Sequence, residues 1–357
     1  MESLLKFTPA VFTLKDEYQI MVPIKEECLM WVKVGEELFY DESNGILRSN
    51  VLTHRISVPK EVLDEAGKYT VCYRKIIERK PYFTETEDEV NIDFDFKSVK
   101  SGKSIGYHLS DTHTLVEQPV KTVGFFEEKY GKVDFLILNG DIADYSDKVE
   151  NFDITYSIIE KITHGNIPVL FSRGNHDTRG KIAENFADHT PCDNGNSYYT
   201  FRVGDIWGIL LDCGEDKIDI CDEYGHTICC HYFRRKQLKF IENVIKNADN
   251  EYNAPDVKHK IVVSHIPFTY IQRPEPEVYP MWVNALNEHI KPDAMLCGHT
   301  HTQRLIEPDE NTNFPVIEGC VPLFKENSFL GCGYIFDEDG ITAVFNDEKE
   351  IIDSFKI

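Results

Sequence analysis

Five short polar motifs, each closing an apolar, strand-like run, constrain this chain more than any other feature. In chain order they are Asp111-Thr112-His113, Gly140-Asp141-Ile142-Ala143-Asp144, Gly174-Asn175-His176-Asp177, Ser264-His265 and Gly298-His299-Thr300-His301. Apolar runs at 133–138, 169–171, 261–263 and 295–297 lead into four of them. Helical patterns lie between. Val149, Phe152, Ile158, Ile159 and Ile162 recur at helical spacing within 147–163, and Leu238, Ile241, Val244 and Ile245 mark a second helix. Strands alternating with helices predict an α/β fold with mixed sheets from residue 104 onward. In such open sheets, sites gather at the C-terminal ends of the strands. A hairpin is predicted near the end, where Asp339-Gly340 separates 334–336 from 341–345.

The spacing inside the motifs carries a chemistry. In Asp-x-His and His-x-His, residues i and i+2 of an extended segment project to the same side. They can hold one metal ion or two adjacent ones. Gly140, Gly174 and Gly298 let the chain turn tightly and approach the ions. Carboxylate, imidazole and amide oxygen together suit borderline divalent or trivalent ions: Zn, Mn or Fe. No cysteine occurs in any of the five motifs, which argues against a structural zinc cage. A lone Gly-Asp or Asp-x-His carries almost no information, but five motifs in series, each after a strand, do not arise by chance.

Residues 1–98 follow a different grammar. Ile92, Phe94 and Phe96 alternate with Asp93, Asp95 and Lys97, and Tyr69, Val71 and Tyr73 alternate with Thr70, Cys72 and Arg74. Both patterns predict half-buried strands. The continuous apolar run at 28–32 predicts a strand buried on both faces. Glu65 to Val71 resembles the turn-and-tyrosine segment of immunoglobulin-like and fibronectin-like sandwiches, with Val71 where an antibody domain has its cysteine. The expectation is an all-β sandwich domain over 1–98, a polar linker, and a second domain over 104–357. No metal or acid–base constellation falls in 1–98, so a packing or substrate-framing role is expected there.

Charge and composition narrow the partners. The formal net charge is −23. Such a surface repels nucleic acid and anionic lipid, so neither is expected as a partner. No apolar run approaches the ~18 residues of a membrane span, and Met1 to Lys6 shows no secretory signal. The ten cysteines have no tight framework of spacings. They are expected to be reduced thiols in a cytoplasmic protein.

The ordered motif set, from 104 to about 303, resembles the calcineurin-like metallophosphoesterase superfamily. With a β-sandwich in front, the layout is similar to the purple acid phosphatases. The resemblance implies a phosphoesterase β-sandwich flanked by helices, and a two-ion hydrolase in which an activated hydroxide attacks phosphorus in line. It implies that Asp111, His113 and His301 hold one ion, that Asn175, His265 and His299 hold the other, and that Asp141 bridges them. His176 would contact the phosphate and assist the leaving group. The two ions would also supply the positive field that an acidic protein needs for an anionic substrate. Purple acid phosphatases carry a colour-giving tyrosine three residues after the bridging aspartate. Here that position is Asp144, with Tyr145 one place further on, which argues against an iron–tyrosinate. Asp144 and Arg173 resemble instead the serine/threonine protein phosphatases, in which the corresponding aspartate orients the catalytic histidine and the arginine contacts phosphate. The arginine that follows that aspartate in those enzymes is missing.

The implied substrate is a small phosphorylated molecule, with monoesters slightly preferred. A phosphodiesterase or nucleotide pyrophosphatase on the same site is the second reading, decided by the room left by loops 213–231 and 267–280. The first of these loops holds Cys221, His226, Cys229, Cys230 and His231 and is expected to cover the mouth of the site. Tyr270 and Arg273 in the second are candidate substrate contacts. A non-catalytic scaffold is the third reading, opposed by the presence of His176 and every ligand.

Overall fold

A computed structural model describes residues 3–357. The first hundred residues form β1 (Ala10–Thr13), β2 (Glu17–Pro23), β3 (Cys28–Val34), β4 (Glu37–Tyr40), β5 (Glu42–Ser43), β6 (Ile46–Leu47) and β7 (Thr53–Pro59). The short α1 (Lys60–Ala66), β8 (Lys68–Arg79), β9 (Thr84–Thr86) and β10 (Val90–Asp95) complete them. Then come β11 (Ser104–Leu109), α2 (Glu117–Tyr130), β12 (Phe135–Asn139), α3 (Phe152–Thr163), β13 (Val169–Ser172) and α4 (Phe186–His189). They are followed by β14 (Tyr199–Val203), β15 (Ile206–Leu210), α5 (Cys230–Lys246), β16 (His259–Val263), α6 (Val278–Ala285) and β17 (Ala294–Cys297). Last are β18 (Arg304–Ile306), β19 (Val316–Glu318), β20 (Val321–Leu323), β21 (Ser328–Asp337), β22 (Gly340–Asn346) and β23 (Ile351–Lys356).

Two sheets face each other. One runs β23-β22-β21-β11-β12-β13-β1-β2-β7, with β11, β12 and β13 parallel. The other runs β14-β15-β16-β17-β19-β18, with β15, β16, β17 and β19 parallel. Strand β12 is apolar from Phe135 to Leu138, and both its faces are covered. Phe135 and Ile137 meet Ile261, Val263 and Leu296 of the facing sheet, while Leu136 and Leu138 meet Val123 and Phe126 of α2 and Ile158 and Ile159 of α3. Helices α5 and α6 cover the outer face of the second sheet through Ile241, Val244, Trp282 and Val283. Each such side chain contributes about 1.5–3 kcal/mol by leaving water. The result is four layers, helix–sheet–sheet–helix, with β11, β12, β13, β16 and β17 ending at one rim.

The N-terminal region is all-β apart from α1. Strands β1, β2 and β7 pack against β3, β8 and β10 through Val11, Ile20, Val22, Met30, Val32, Ile56, Val58 and Val71. One leaf of this sandwich is the continuation of the first of the two sheets, since β1 pairs in parallel with β13, Phe12 opposite Val169. The pairing removes what would be an open edge on β13. The Tyr69 hydroxyl donates to the Gly165 carbonyl at 2.9 Å, the Lys97 N–H to Asn166 at 2.7 Å and the Thr8 N–H to Glu160 at 2.9 Å. The tyrosine thus ties the N-terminal region to the α3–β13 turn rather than to its own backbone. Strand β3 departs from the sequence expectation. Leu29 and Trp31 are only half-buried, because just one face of this sheet is packed. All ten cysteines are free thiols. No described helix is long and apolar enough to cross a membrane.

Candidate metal centre

Residues Asp111 and His113 follow β11, Asp141 follows β12, and Asn175 and His176 follow β13. From the facing sheet, His265 follows β16, and His299 and His301 follow β17. The two sets converge at the shared rim. Asn139, at the end of β12, stitches them by donating to the Ser264 and Leu296 carbonyls at 3.3 and 3.2 Å. The His299 N–H donates to both Asp111 carboxylate oxygens, at 3.1 and 2.9 Å.

The local backbone differs from the extended geometry that the i, i+2 spacing suggests. Asp111, His113, Asp141, His299 and His301 all adopt left-handed φ, between 42° and 71°. Such conformations cost a non-glycine residue on the order of 1–3 kcal/mol and cluster at functional sites. Each strand therefore turns sharply at its ligand, which brings donor atoms together that straight strands would splay apart. Gly140 and Gly174 permit the closest approach. A Cβ on Gly140 would lie 2.5 Å from the Gly174 Cα, and one on Gly174 would lie 2.2 Å from an Asp141 oxygen. Asp177 clamps the same two loops, its Oδ2 accepting the Asp141 N–H at 3.1 Å and the Gly174 N–H at 2.8 Å.

Side-chain donors of Asp111, His113 and His301 lie within 4.8 Å of one another, as do those of Asp141, His265 and His299; Asp141 also groups with His113 and His176. The His113 and His301 Nε2 atoms stand 3.1 Å apart. Asp111 Oδ1 lies 3.3 Å from His301 Nε2 and 3.8 Å from His265 Nε2. The Asn175 Oδ1 touches His299 Nδ1 at 2.9 Å. His265 Nδ1 donates to the Asn139 carbonyl at 2.7 Å, which aims Nε2 into the cluster. That Nε2 is buried without an aligned hydrogen-bond partner, 3.0 Å from Asp141 Oδ2.

Electrostatics test whether these residues fit metal ions. Burial alone would raise the Asp111 and Asp141 carboxyls, yet His265 beside both holds them below the ordinary carboxylate range. Burial likewise opposes a proton on His265, but Asp141 and Asp111 push it up to about 10. Burial keeps His299 down at about 4 and lowers His113, so both present neutral imidazole nitrogens. Two buried carboxylates that demand positive charge, with ring nitrogens of His113, His265 and His301 crowded against them and against one another, fit a pair of cations.

Of the remaining predicted residues, Asp144 and Arg173 sit differently from expectation. His176 lies beside the cluster, its Nε2 4.0 Å from Asp141 Oδ2 and its N–H on Asp141 Oδ1 at 2.8 Å. Its Nδ1 contacts the main-chain carbonyl of Asp144 at 2.9 Å. The Asp144 carboxylate reaches His113 Nδ1 instead, at 2.9 Å. A tight turn after Asp141 points the Asp144 side chain away from His176. Arg173 is committed elsewhere: Nε lies 2.8 Å from fully buried Asp212, and its guanidinium rests on the Phe233 ring. Of the loop candidates, Tyr270 is bonded to Glu318 and Arg304. Glu318 also accepts from Thr300, between the two motif histidines.

Sequence reasoning missed Arg179 and Glu215. Arg179 Nη1 lies 3.3 Å from His176 Nε2. His176–Thr178 is a single 3₁₀ turn, in which residues i and i+3 eclipse, so spacing alone marks Arg179 once that turn is recognised. Glu215 leaves no such signal. In the 213–231 loop, His231 bonds Glu275 at 2.7 Å and Cys230 Sγ accepts the Glu215 N–H at 3.4 Å.

Fold and site together define a metal-dependent hydrolase of phosphate esters. A profile of the calcineurin-like phosphoesterase family, which uses a dinuclear metal centre, matches residues 107–303, and the chain belongs to that family. No curated protein matches it significantly in sequence. Among solved structures, a purple acid phosphatase from yellow lupin (Lupinus luteus) seeds is similar with a TM-score of 0.59 at 13% identity, over 97% of this chain and 73% of that one. The anchor of the inner membrane complex of Plasmodium is similar with a TM-score of 0.47 at 15% identity, over 72% of this chain and 89% of that one. The first likeness extends the shared fold through the N-terminal β region as well as the catalytic part.

Proposed function

We propose that this chain hydrolyses small phosphate monoesters in preference to diesters at a two-ion centre of Fe, Mn or Zn. Asp111, His113 and His301 would hold one ion and Asn175, His265 and His299 the other. The observation that carries this reading is the position of Asp141, whose carboxylate lies within reach of His113 on one side and of His265 and His299 on the other. Bound ions would activate water and screen the negative charge of the phosphoryl group. The chain's own residues do the rest. His265 is fixed by the Asn139 carbonyl, and His113 by the Asp144 carboxylate. His176, fixed by the Asp144 carbonyl, holds Nε2 toward the mouth, where a leaving oxygen can take a proton.

The test is a metal-supplemented screen of the purified protein against phosphomonoesters, phosphodiesters and nucleotides. Higher kcat/KM on monoesters supports the proposal; faster turnover of diesters or of nucleotide pyrophosphate bonds overturns the preference. Asp141→Asn is expected to abolish activity and release at least one ion. Two tightly held ions in that variant, counted by elemental analysis, would sink the bridging assignment.

A further inference from the structure

Arg179 offers five N–H donors in a planar fork. Nε donates to Glu215 Oε1 at 2.6 Å, and Nη2 donates to Glu215 Oε2 at 3.1 Å and to the Tyr224 hydroxyl at 3.2 Å. Nη1 meets His176 Nε2 at 3.3 Å. One Nη1 hydrogen is left over, on the same nitrogen that faces His176. The neighbouring Asp144 carbonyl can only accept, so His176 holds a proton on Nδ1; the neutral ring offers Arg179 a lone pair at Nε2, and only the imidazolium carries there the second proton that a leaving oxygen would take. The spare donor therefore sits beside His176 Nε2, at the edge of the Asp141 cluster.

The fork is rigidly held. Glu215 is fully buried and also accepts from Thr178 at 3.1 Å and from Tyr224 at 2.5 Å. Fully buried Arg234 pins the same loop, donating to the Cys213 carbonyl at 2.8 Å and to the Glu215 carbonyl. The other charged groups at this wall include Asp216, 3.8 Å from Arg179 Nη2 and 3.9 Å from His299 Nε2, and Lys217, whose Nζ donates to the Tyr224 hydroxyl at 3.2 Å and pairs with Glu223 at 2.7 Å. Arg179 itself keeps a quarter of its side chain exposed. Arg173, bound to Asp212, has no such freedom.

We infer that Arg179 is the residue that recognises the phosphoryl group and selects doubly charged monoesters over singly charged diesters. This rests on the phosphoesterase reading above and names its specificity determinant. A fixed guanidinium beside the reacting group interacts more strongly with two negative charges than with one, and a charge-assisted bond to phosphate is among the strongest available to a side chain. The 213–231 loop is, on this view, the clamp that holds the charge in place through Glu215 and Tyr224.

Two measurements on metal-loaded protein test the assignment. Calorimetry with inorganic phosphate should show affinity weakened about 10–100-fold in Arg179→Gln, the loss of one charge-assisted hydrogen bond. Turnover of nitrophenyl phosphate should fall by a similar or larger factor, while that of bis-nitrophenyl phosphate should fall only about severalfold. Tyr224→Phe, which keeps the charge and loosens its clamp, should raise KM for the monoester with kcat unchanged, and serves as the test if Arg179→Gln does not fold. Unchanged phosphate affinity in Arg179→Gln, equal losses on both esters, or an unaltered KM in Tyr224→Phe overturns the inference. Phosphate binding that depends on Arg179 in a wild-type protein that hydrolyses neither ester would support the recognition role while sinking the hydrolase reading.

Discussion

Asp144 serves two imidazoles through two different atoms. Its carbonyl faces His176 Nδ1 and its carboxylate faces His113 Nδ1, each at 2.9 Å. The distinction sets the outcome of mutation. Any replacement at 144 keeps the carbonyl, so His176 retains its orientation. Removing the carboxylate strips His113 of the partner that fixes its tautomer, and such losses typically weaken metal binding about 10–100-fold. Asp144→Ala is therefore expected to weaken one ion by that factor. His176→Ala is expected to keep both ions and lose about 10²–10⁴-fold in rate, less with good leaving groups such as nitrophenol. At a metal concentration that leaves Asp144→Ala only partly loaded, the two losses should multiply, because they act through separate histidines. A double variant no slower than His176→Ala alone would show that the carboxylate works through His176 after all.

At the scale of an element, β11 carries a conflict of its own. His108 is fully buried in the strand, with no hydrogen-bond partner on either ring nitrogen. Burial pushes its pKa down to about 3, against the pull of Asp111 and with the help of His265. The unfolded chain binds a proton at this residue below about pH 6.5 while the folded chain does not. Stability from this source is thus complete above pH 6.5 and declines as pH falls toward 3, by roughly 1.4 kcal/mol per unit. His108→Leu, similar in volume, should be neutral or stabilising at pH 7 and should flatten that slope. Denaturant melts of both metal-free proteins between pH 7 and pH 4 would decide; parallel slopes would mean that His108 is protonated, or hydrated, in the folded state. The ligands on β11, β12, β13, β16 and β17 were legible because metal chemistry restricts residue type and strand ends restrict place. The link from Arg179 to Glu215 was not, since Glu215 lies 36 residues along the chain and meets it only through the path of a loop. The mismatch at Arg173 has the same origin. A motif names an arginine, but the buried carboxylate that claims it, Asp212, belongs to the end of β15 in the other sheet.

For the whole molecule, the question is what residues 3–98 do for the catalytic part. A change of sequence pattern near residue 100 marks a boundary in grammar, but backbone pairing leaves no residue signature, and nothing in Ala-Val-Phe-Thr of β1 names β13 as its neighbour. Ala10, Phe12 and Met21 belong to the core beneath α3, and Leu14 to the core between the two main sheets. A chain beginning at Ser101 would uncover those apolar contacts together with the whole edge of β13, which carries Asn175 and His176 at its end. Exposed, flat, apolar edges pair with other chains. Such a chain is expected to aggregate, and residues 3–99 supplied as a separate polypeptide are expected to restore a soluble complex that binds two ions. Light scattering and elemental analysis would read both outcomes. A soluble, monomeric protein from Ser101 onward with both ions bound would show that the N-terminal strands extend the sheet without supporting the site.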